Sequence, residues 1–398
     1  MTRVTFINSE KFNTNNWNIY FSDMPIRLQI VQSKDQLKQF IFLPQKIHDK
    51  DPRWVPPIYM DEWKFYNPKY NKALTYCGTV LFLACKDSKP VGRIMGIINT
   101  PYNQLNKEKS ARFFNFECYN DQEVADALIG AVEDWASRKG MQKIVGPFGF
   151  SDKDPEGVQI EGFDHLPVLA TATNFPYLKD LIESKGYTKK VDCLVYKLDV
   201  PKEIPALYRK VYDRIIQKKG IHLKEFTSRK QLKPYIVPVF RMVNETYKSI
   251  YGFVPMEEVE MKRMAAQYLP ILDPEFTKIV TDDHDSPLAF VVATPDISRG
   301  VQKAGGKLFP FGFIHILSAA KKSKQLDLFL GAVINPDKNR GLTALLGVAI
   351  FRSAQKRGIK YIDSHLILES NKEMRAVMEK LSAKIYKRYR VFEKKLFF

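Results

Sequence analysis

An internal repeat constrains the architecture of this chain more than any other feature of its sequence. Residues 26–38, IRLQIVQSKDQLK, align without a gap with residues 221–233, IHLKEFTSRKQLK, at a shift of 195 residues. Each segment has the pattern of a short strand followed by Ser-x-x-Gln, the capping box that opens a helix. Three further similarities follow in the same order along the chain. The sequence therefore predicts a duplicated domain.

The later similarities locate both copies and an insertion. Between the second and third similarities the shift grows to about 217 residues, so the second copy holds roughly twenty extra residues within 297–325. A chain of 398 residues is long enough for two separate hydrophobic cores. We predict one domain at residues 1–200 and a second at 201–398.

The order of predicted elements is the same in each copy. It reads strand, helices, two strands, strand, helix, strand, helix and a final strand pair. In the second copy the strands lie near 221–226, 276–282, 287–294, 326–334, 359–368 and 385–396, and the helices near 229–248, 257–269, 342–357 and 371–381. The linker at about 201–220 has a helical pattern. This order predicts an α/β (α+β) fold in which a mixed, mostly antiparallel sheet is flanked by helices in each domain.

Several segments resemble the GNAT superfamily of acyl-CoA N-acyltransferases in tandem form, and more narrowly the bacterial YghO-like group. The resemblance covers nearly the whole chain after about residue 26. The segments that carry it are DPRWVPP at 51–57, PVGRI at 90–94, GP at 146–147, EGFD at 161–164, GFVP at 252–255, LESN at 368–371 and YKRYR at 386–390.

The resemblance implies a binding site for acetyl-CoA or a longer acyl-CoA in the second copy. One strand should splay from its neighbour, leaving backbone amides near Ala332 and Val333 for the pantetheine arm and the thioester oxygen. The loop and helix N-terminus that follow should take the pyrophosphate. The other cofactor-binding residues that it implies are Asn339, Arg340, Gly341, Leu342, Thr343 and Asn371. For Asn371 a plain helix N-cap is the alternative.

The loop that precedes this helix differs in charge and glycine content between the two copies. A helix N-terminus offers unpaired N–H groups and a positive partial charge, and glycine allows a phosphate to approach the backbone closely. The second copy has Gly341 at this point, with Lys338 and Arg340 beside it. The first copy has residues 118–126, CYNDQEVAD, with three carboxylates and no glycine. These carboxylates cap their helix but repel an anion, so we predict that only the second copy binds the cofactor.

The catalytic candidates follow the next strand of the second copy. We expect Glu369 to act as the general base, directly or through water, with His365 as the second candidate. The alternatives are that Glu369 complements the helix N-terminus and that His365 is a core histidine. Many members of the superfamily carry a tyrosine that protonates the departing thiolate, but this chain has Met378 there. Tyr386 is the substitute that we predict.

The net charge, the cysteines, the first residues and one aromatic segment bear on the class of partner and on the cellular location. The net charge of +18 suits a polyanionic cofactor, an anionic membrane or nucleic acid, but no nucleic-acid motif accompanies it. The four scattered cysteines predict free buried thiols, and no cluster has zinc spacing. The first six residues lack the layout of a secretory signal, which favours a cytoplasmic protein. The aromatic segment from Phe309 to Lys322 could cover the acceptor site or contact lipid headgroups. The alternative is a helical hairpin packed on its own core.

Three functions are compatible with these observations. The leading hypothesis is a cytoplasmic, acyl-CoA-dependent N-acyltransferase with an unknown amine acceptor, for which a lipid-like amine and peripheral membrane contact are open options. The first alternative is a degenerate, non-catalytic binding protein, which Met378 and the partial glycine motif favour. The second is an aminoacyl-tRNA-dependent transferase of the peptidoglycan-branching type, for which the positive charge suits tRNA.

Overall fold

The computed structural model describes residues 26–168, 171–270 and 272–396, without the side chains of 267 and 268. The first 25 residues, which include those behind the secretory-signal prediction, lie outside this description. The chain divides into two compact units. The first runs to Phe163 and adds Ala172–Val191 and the residues from Arg390 onward, and the second comprises Asp164–Thr171 and Asp192–Tyr389. The domain boundary at residue 200 stays a prediction.

In the described part of the first unit, five strands lie side by side in chain order, and a sixth, short strand lies outside this series. Its strands are β1 Ile26–Ile30, β2 Cys77–Lys86, β3 Lys89–Asn99, β4 Ser110–Cys118, β5 Lys143–Gly146 and the short β6 Val158–Glu161. Its helices are α1 Lys34–Ile47, α2 Tyr59–Phe65, α3 Ala73–Tyr76, α4 Thr100–Asn106, α5 Gln122–Arg138 and α6 Tyr177–Ser184. Neighbouring strands are antiparallel except β4 and β5, which are parallel.

Local sequence explains where the helices of the first unit begin and which face they bury. Helix α1 starts at the predicted capping box of Ser33 and Gln36. Helix α5 buries Leu128 and Val132 on one face, against apolar side chains of the sheet. Apolar burial of this kind contributes most of the stability of such a helix.

The second unit repeats this arrangement. The strands are β7 Thr188–Asp199, which begins in the first unit, β8 His222–Glu225, β9 Thr277–Thr281, β10 Pro287–Pro295, β11 Gln325–Val333, β12 Tyr361–Asp363, β13 Ile367–Leu368 and β14 Lys384–Lys395, which ends in the first unit. Six of them lie in the order β7, β12, β11, β10, β9 and β8, and among the described residues of this series only β11 and β12 are parallel. The helices are α7 Ala206–Ile216, α8 Arg229–Leu232, α9 Ile236–Thr246, α10 Glu258–Tyr268, α11 Ser298–Ala304, α12 Gly312–Lys322, α13 Leu342–Lys356 and α14 Lys372–Lys380.

The predicted fold class is confirmed, but three predicted elements were wrong in detail. The final strand pair of each copy is one long strand, β7 or β14, because neither contains a glycine, proline or asparagine at which to turn. The predicted helix at 229–248 is broken by a 3₁₀ turn around Pro234, which lacks a backbone donor. The predicted strand at 359–368 is two short strands, β12 and β13.

Candidate active site

Strand β11 forms a fork with its parallel neighbour in the second unit. Residues Gln325–Asp327 pair with Tyr361–Asp363, and the pairing ends there. Strand β11 continues for six more residues, and in the described chain no backbone hydrogen bond joins these to β12 or β13. The splayed strand that the family resemblance implies is therefore present.

Only alternate backbone amides of β11 point toward its open edge. The Ile334 N–H donates to the Leu288 carbonyl of β10 at 2.9 Å, and Ala332 is the register partner of Phe290. Because successive residues of an antiparallel pair alternate in direction, Ala332 faces β10 whereas Val333 faces the open edge. Of the two amides predicted for the pantetheine arm, that of Val333 is the accessible one.

The turn after β11 presents an exposed, uncapped helix N-terminus. Gly341 is the N-cap of α13 with φ of 93°, and no side chain caps the helix. The N–H of Leu342 donates to the Asn339 carbonyl and that of Leu345 to Gly341, whereas those of Thr343 and Ala344 have no acceptor among the described residues. An added anion would meet these free donors and the positive end of the helix.

The other predicted cofactor residues hold or flank this turn. The Asn339 side chain donates to the Ile334 carbonyl at 2.6 Å, which fixes the turn at the end of β11. Leu342 is buried in a core cluster with Ile215 and anchors the helix. Arg340 and Thr343 are exposed. A Cβ on Gly341 would lie 3.1 Å from Ile215 Cγ1, so both the backbone angle and the packing favour glycine here.

The equivalent turn of the first unit already holds an anion of its own. The Asp121 carboxylate accepts the Val124 N–H at the start of α5 and pairs with Lys86 at 2.6 Å. Although burial raises the pKa of Asp121, the hydrogen bonds from Lys86 and Val124 lower it below its usual value overall. A carboxylate therefore occupies the position that a phosphate would need.

The fork of the first unit is filled by its own chain. Strands β4 and β5 pair only from Ser110 to Arg112. Beyond this point the Phe148 N–H donates to the Phe113 carbonyl at 2.9 Å. The guanidinium of Arg112 donates to the carbonyls of Gly149 and Phe150, each at 2.9 Å. This fork has no free edge at its base, in contrast to that of the second unit.

A buried polar cluster closes the base of the open fork. The Asp363 carboxylate, which is fully buried, accepts the Tyr386 hydroxyl and lies 3.5 Å from Lys387 Nζ. Lys387 is itself 1% exposed. Burial and the neighbouring Asp363 raise the pKa of Tyr386 well above its usual value. Tyr386, the predicted acid, therefore lies at the fork, and its hydroxyl donates a hydrogen bond to Asp363.

His365 lies beside this cluster and lines the fork. Its ring packs edge-on against Phe329 of β11 with centroids 5.6 Å apart, and its backbone N–H donates to Asp363 Oδ1 at 2.6 Å. Burial lowers the pKa of His365 to about 4, with a smaller opposing effect of Asp363. The imidazole is therefore neutral near pH 7, and its buried Nδ1 has no partner among the described residues.

Glu369 and Asn371 have local partners. The Glu369 carboxylate accepts the Asp192 N–H at 3.0 Å, and its carbonyl accepts Arg375 Nη1 at 2.9 Å. Asn371 is the N-cap of α14 and accepts the Met374 N–H at 3.1 Å. Met378 is buried in a small core cluster. The catalytic role of Glu369 and the cofactor role of Asn371 stay predictions.

Sequence reasoning missed two residues of the cluster, Asp327 and Lys387. Asp327 is the last residue of β11 that pairs with β12 and is 1% exposed. Burial, then the nearby carboxylates of Asp363 and Asp296, raise its pKa well above the usual value. A charged residue within the apolar run QLDLFLGAV was the signal that could have found it.

Three further findings concern the cysteine thiols, metal ligands and membrane-spanning helices. The four cysteines are free and buried, which confirms that prediction. Among the described residues, no group of histidine, cysteine and carboxylate side chains could hold a metal ion. No helix in the same residues has the length and apolar character needed to span a bilayer.

No protein-family model matches the chain, but relatives and solved structures do. It is 29% identical over 381 residues to Protein YghO of Escherichia coli K12, which covers 92% of this chain and 94% of that protein. It is 27% identical over 374 residues to a protein of Caulobacter vibrioides named bacterial ceramide synthase, with coverage of 92% and 96%.

The structural neighbours share the fold at low sequence identity. A tandem GNAT protein from the clavulanic acid biosynthesis pathway matches with a TM-score of 0.55 at 12% identity, over 94% of this chain and 99% of that one. A GCN5-related N-acetyltransferase from Sphaerobacter thermophilus matches with a TM-score of 0.51 at 12% identity, over 94% and 96%. The chain therefore has the tandem GNAT fold, and the resemblance to the YghO-like group that its sequence predicts is confirmed along nearly its whole length.

Proposed function

We propose that the chain is an acyltransferase that moves the acyl group of an acyl-coenzyme A to an amine, and that the second unit performs this reaction. One observation carries the proposal. The uncapped helix N-terminus at Gly341 follows directly from the free edge of β11. An extended pantetheine arm and a pyrophosphate need these two features in this order.

The acceptor that we propose is a long-chain amine. Its support is the relative named bacterial ceramide synthase, because ceramide is the N-acylated form of a long-chain amino alcohol. That relative matches over nearly the full length of both chains, whereas the solved structures support only the fold. The name of this relative favours N-acylation of a long-chain amine over aminoacyl transfer from tRNA.

Each residue then has one role in the reaction. The N–H groups at the start of α13, with Lys338 and Arg340, hold the pyrophosphate, and the Val333 N–H binds the pantetheine arm. Acyl-coenzyme A supplies an activated thioester carbon, to which the amine nitrogen bonds as the carbon–sulfur bond breaks and coenzyme A leaves as its thiolate with the electron pair of that bond. His365 accepts the proton that the nitrogen loses, since its Nδ1 is neutral and unpartnered in the described chain.

Ligand-dependent stabilisation tests whether the turn binds the cofactor. Palmitoyl-CoA and acetyl-CoA, which should bind only the native state, should raise the melting temperature in proportion to the logarithm of their concentration. Replacing Lys338→Gln and Arg340→Gln should remove most of this shift. The matched control is Lys230→Gln with Lys233→Gln, an equal loss of charge on exposed residues of the same unit.

Product analysis then tests the chemistry. Mass spectrometry of the protein with palmitoyl-CoA and a long-chain amino alcohol should detect the amide and free coenzyme A. We expect His365→Gln to lower kcat by roughly 10²-fold or more while leaving the thermal shift intact. Binding without turnover for any amine would favour the non-catalytic alternative. The absence of a shift with either acyl-CoA would contradict the whole proposal.

A further inference from the structure

The helical hairpin of α11 and α12 carries an exposed apolar surface that the reaction above does not use. Its members are the side chains of Phe309 (74% exposed), Phe311 (68%), Phe313 (43%), Ile314 (49%) and Leu317 (58%). We call this set the hairpin surface. Leaving five large apolar side chains of one segment in water costs free energy, so such patches usually mark a contact.

The hairpin is fixed so that this surface stays outside. A Cβ on Gly300 of α11 would lie 2.7 Å from the His315 carbonyl oxygen and from Ile316 Cα, so the helices touch at their backbones. The Ser298 hydroxyl donates to the Pro167 carbonyl at 2.8 Å and anchors the start of the hairpin. Because the inner faces of the two helices already pack against each other, the apolar side chains of the hairpin surface remain on the outside.

The charges around the hairpin surface have one sign. Residues 297–326 contain six lysines and arginines and no aspartate or glutamate. Three of the lysines flank the surface directly, namely Lys307, Lys321 and Lys322. In the part of the chain that the structure describes, none of these three forms an ion pair. Their charge is therefore available to an external anion.

Apolar side chains flanked by unpaired lysines fit an anionic bilayer better than a second copy of the chain. Two copies packed through this surface would bring their lysines together without an intervening acid, and like charges at close range repel. In a bilayer the aromatic and aliphatic side chains reach the acyl boundary while lysines remain at anionic headgroups.

We propose that the hairpin surface binds the face of an anionic phospholipid membrane. Phe309, Phe311 and Leu317 insert at the boundary between headgroups and acyl chains, and the flanking lysines contact lipid phosphates. The hairpin joins the end of β10 to the start of β11. It therefore lies at the opposite end of β11 from the turn at Gly341. This inference does not depend on the proposed acyl transfer.

Vesicle flotation with the full chain tests the membrane contact. Vesicles of phosphatidylcholine with phosphatidylglycerol should carry the protein, and vesicles of phosphatidylcholine alone should carry much less. Replacing Phe309→Ser, Phe311→Ser and Leu317→Ser should weaken binding roughly tenfold or more for each side chain. Replacing Lys321→Gln and Lys322→Gln should weaken it about fivefold for each charge, and added salt should reproduce this loss.

The control variant carries Leu105→Ser and Leu207→Ser, which remove equally exposed leucines (62% and 70%) from other helices. It should bind as the unchanged protein does. The proposal is overturned if the unchanged protein fails to float with phosphatidylglycerol vesicles, or if the hairpin variants float equally well. It is also overturned if sedimentation without lipid shows a dimer that the phenylalanine and leucine replacements dissociate, since the surface would then be a self-interface.

Discussion

The turns that follow β4 and β11 occupy equivalent places in the two units but differ in what fills them. In the first unit the carboxylate of Asp121 caps α5 and pairs with Lys86. In the second unit Gly341 leaves the start of α13 without a side-chain cap. The same topology thus produces one helix start that a carboxylate of the chain caps and one whose N–H groups remain free for an external anion.

The two forks differ in the same sense. In the first unit, residues 146–150 cross the fork and donate to or accept from β4 and Arg112. In the second unit the chain after Asp363 turns instead toward β7, where the Ser364 N–H donates to the Tyr196 carbonyl. A duplicated fold can therefore keep both sheets while only one retains the free backbone groups that a ligand needs.

The largest effect that we expect tests the base of the open fork. Asp363→Ala removes the carboxylate beside Lys387, which leaves a buried cation without its partner. We expect the free energy of unfolding to fall by about 3–5 kcal/mol in urea titrations. Asp337→Ala, at a side chain that is 96% exposed, should change it by less than about 0.5 kcal/mol. Equal effects of the two variants would contradict the buried cluster.

The next effect tests the closed fork of the first unit. Arg112→Met leaves the Gly149 carbonyl without its side-chain donor, at about 1–3 kcal/mol, whereas the Phe150 carbonyl keeps the Asn99 amide at 2.7 Å. The substitution also removes the guanidinium from two aromatic rings that it stacks on, at about 0.5–2 kcal/mol. We expect a total loss of about 2–4 kcal/mol, measured by urea unfolding, and an unchanged thermal shift with acyl-CoA. The control is Arg27→Met on an exposed strand position. A lost ligand shift would mean that the first unit takes part in cofactor binding.

The pH dependence of stability tests His365. Its pKa of about 4 in the folded chain lies below the usual 6.5, so folding favours the neutral ring. This contribution is fully present above pH 6.5 and is lost as pH falls from 6.5 toward 4, by an amount on the order of 2 kcal/mol. His365→Gln lacks this titration, so the difference between the two proteins isolates it.

The raised pKa of Asp327 acts in the opposite direction, because protonation of Asp327 favours the folded state. This effect is present in both proteins and cancels in the comparison. Unfolding measurements at several pH values between 4 and 7 would supply the difference. A difference that stays constant across this range would show that His365 titrates normally.

The smallest effect compares the two turns directly. Asp121→Ala removes a helix cap, and Gly341→Ala places a side chain at positive φ, so each should cost about 1 kcal/mol of stability. Only Gly341→Ala should also reduce the thermal shift with acyl-CoA. Gly358→Ala, at the other end of α13 with φ of 67°, is the control for backbone strain. Loss of the ligand shift in Asp121→Ala would reverse the assignment of the two units.

Several features followed from local sequence. The repeat, the capping box at Ser33, the glycine at 341 and the acidic turn after Cys118 are visible because helix starts depend on a few adjacent residues. The splayed strand came from the family resemblance and could not be derived from spacing. The fold class and most element positions therefore followed from the sequence.

Only the tertiary structure decided which of these residues meet. The contact of Asp363 with Tyr386 and Lys387 joins two strands more than twenty residues apart. The pairing of Glu369 with the Asp192 amide spans a still longer separation. Sequence specifies local conformation through short-range sterics and capping, whereas burial, pKa and the direction of an amide depend on neighbours that distant parts of the chain supply.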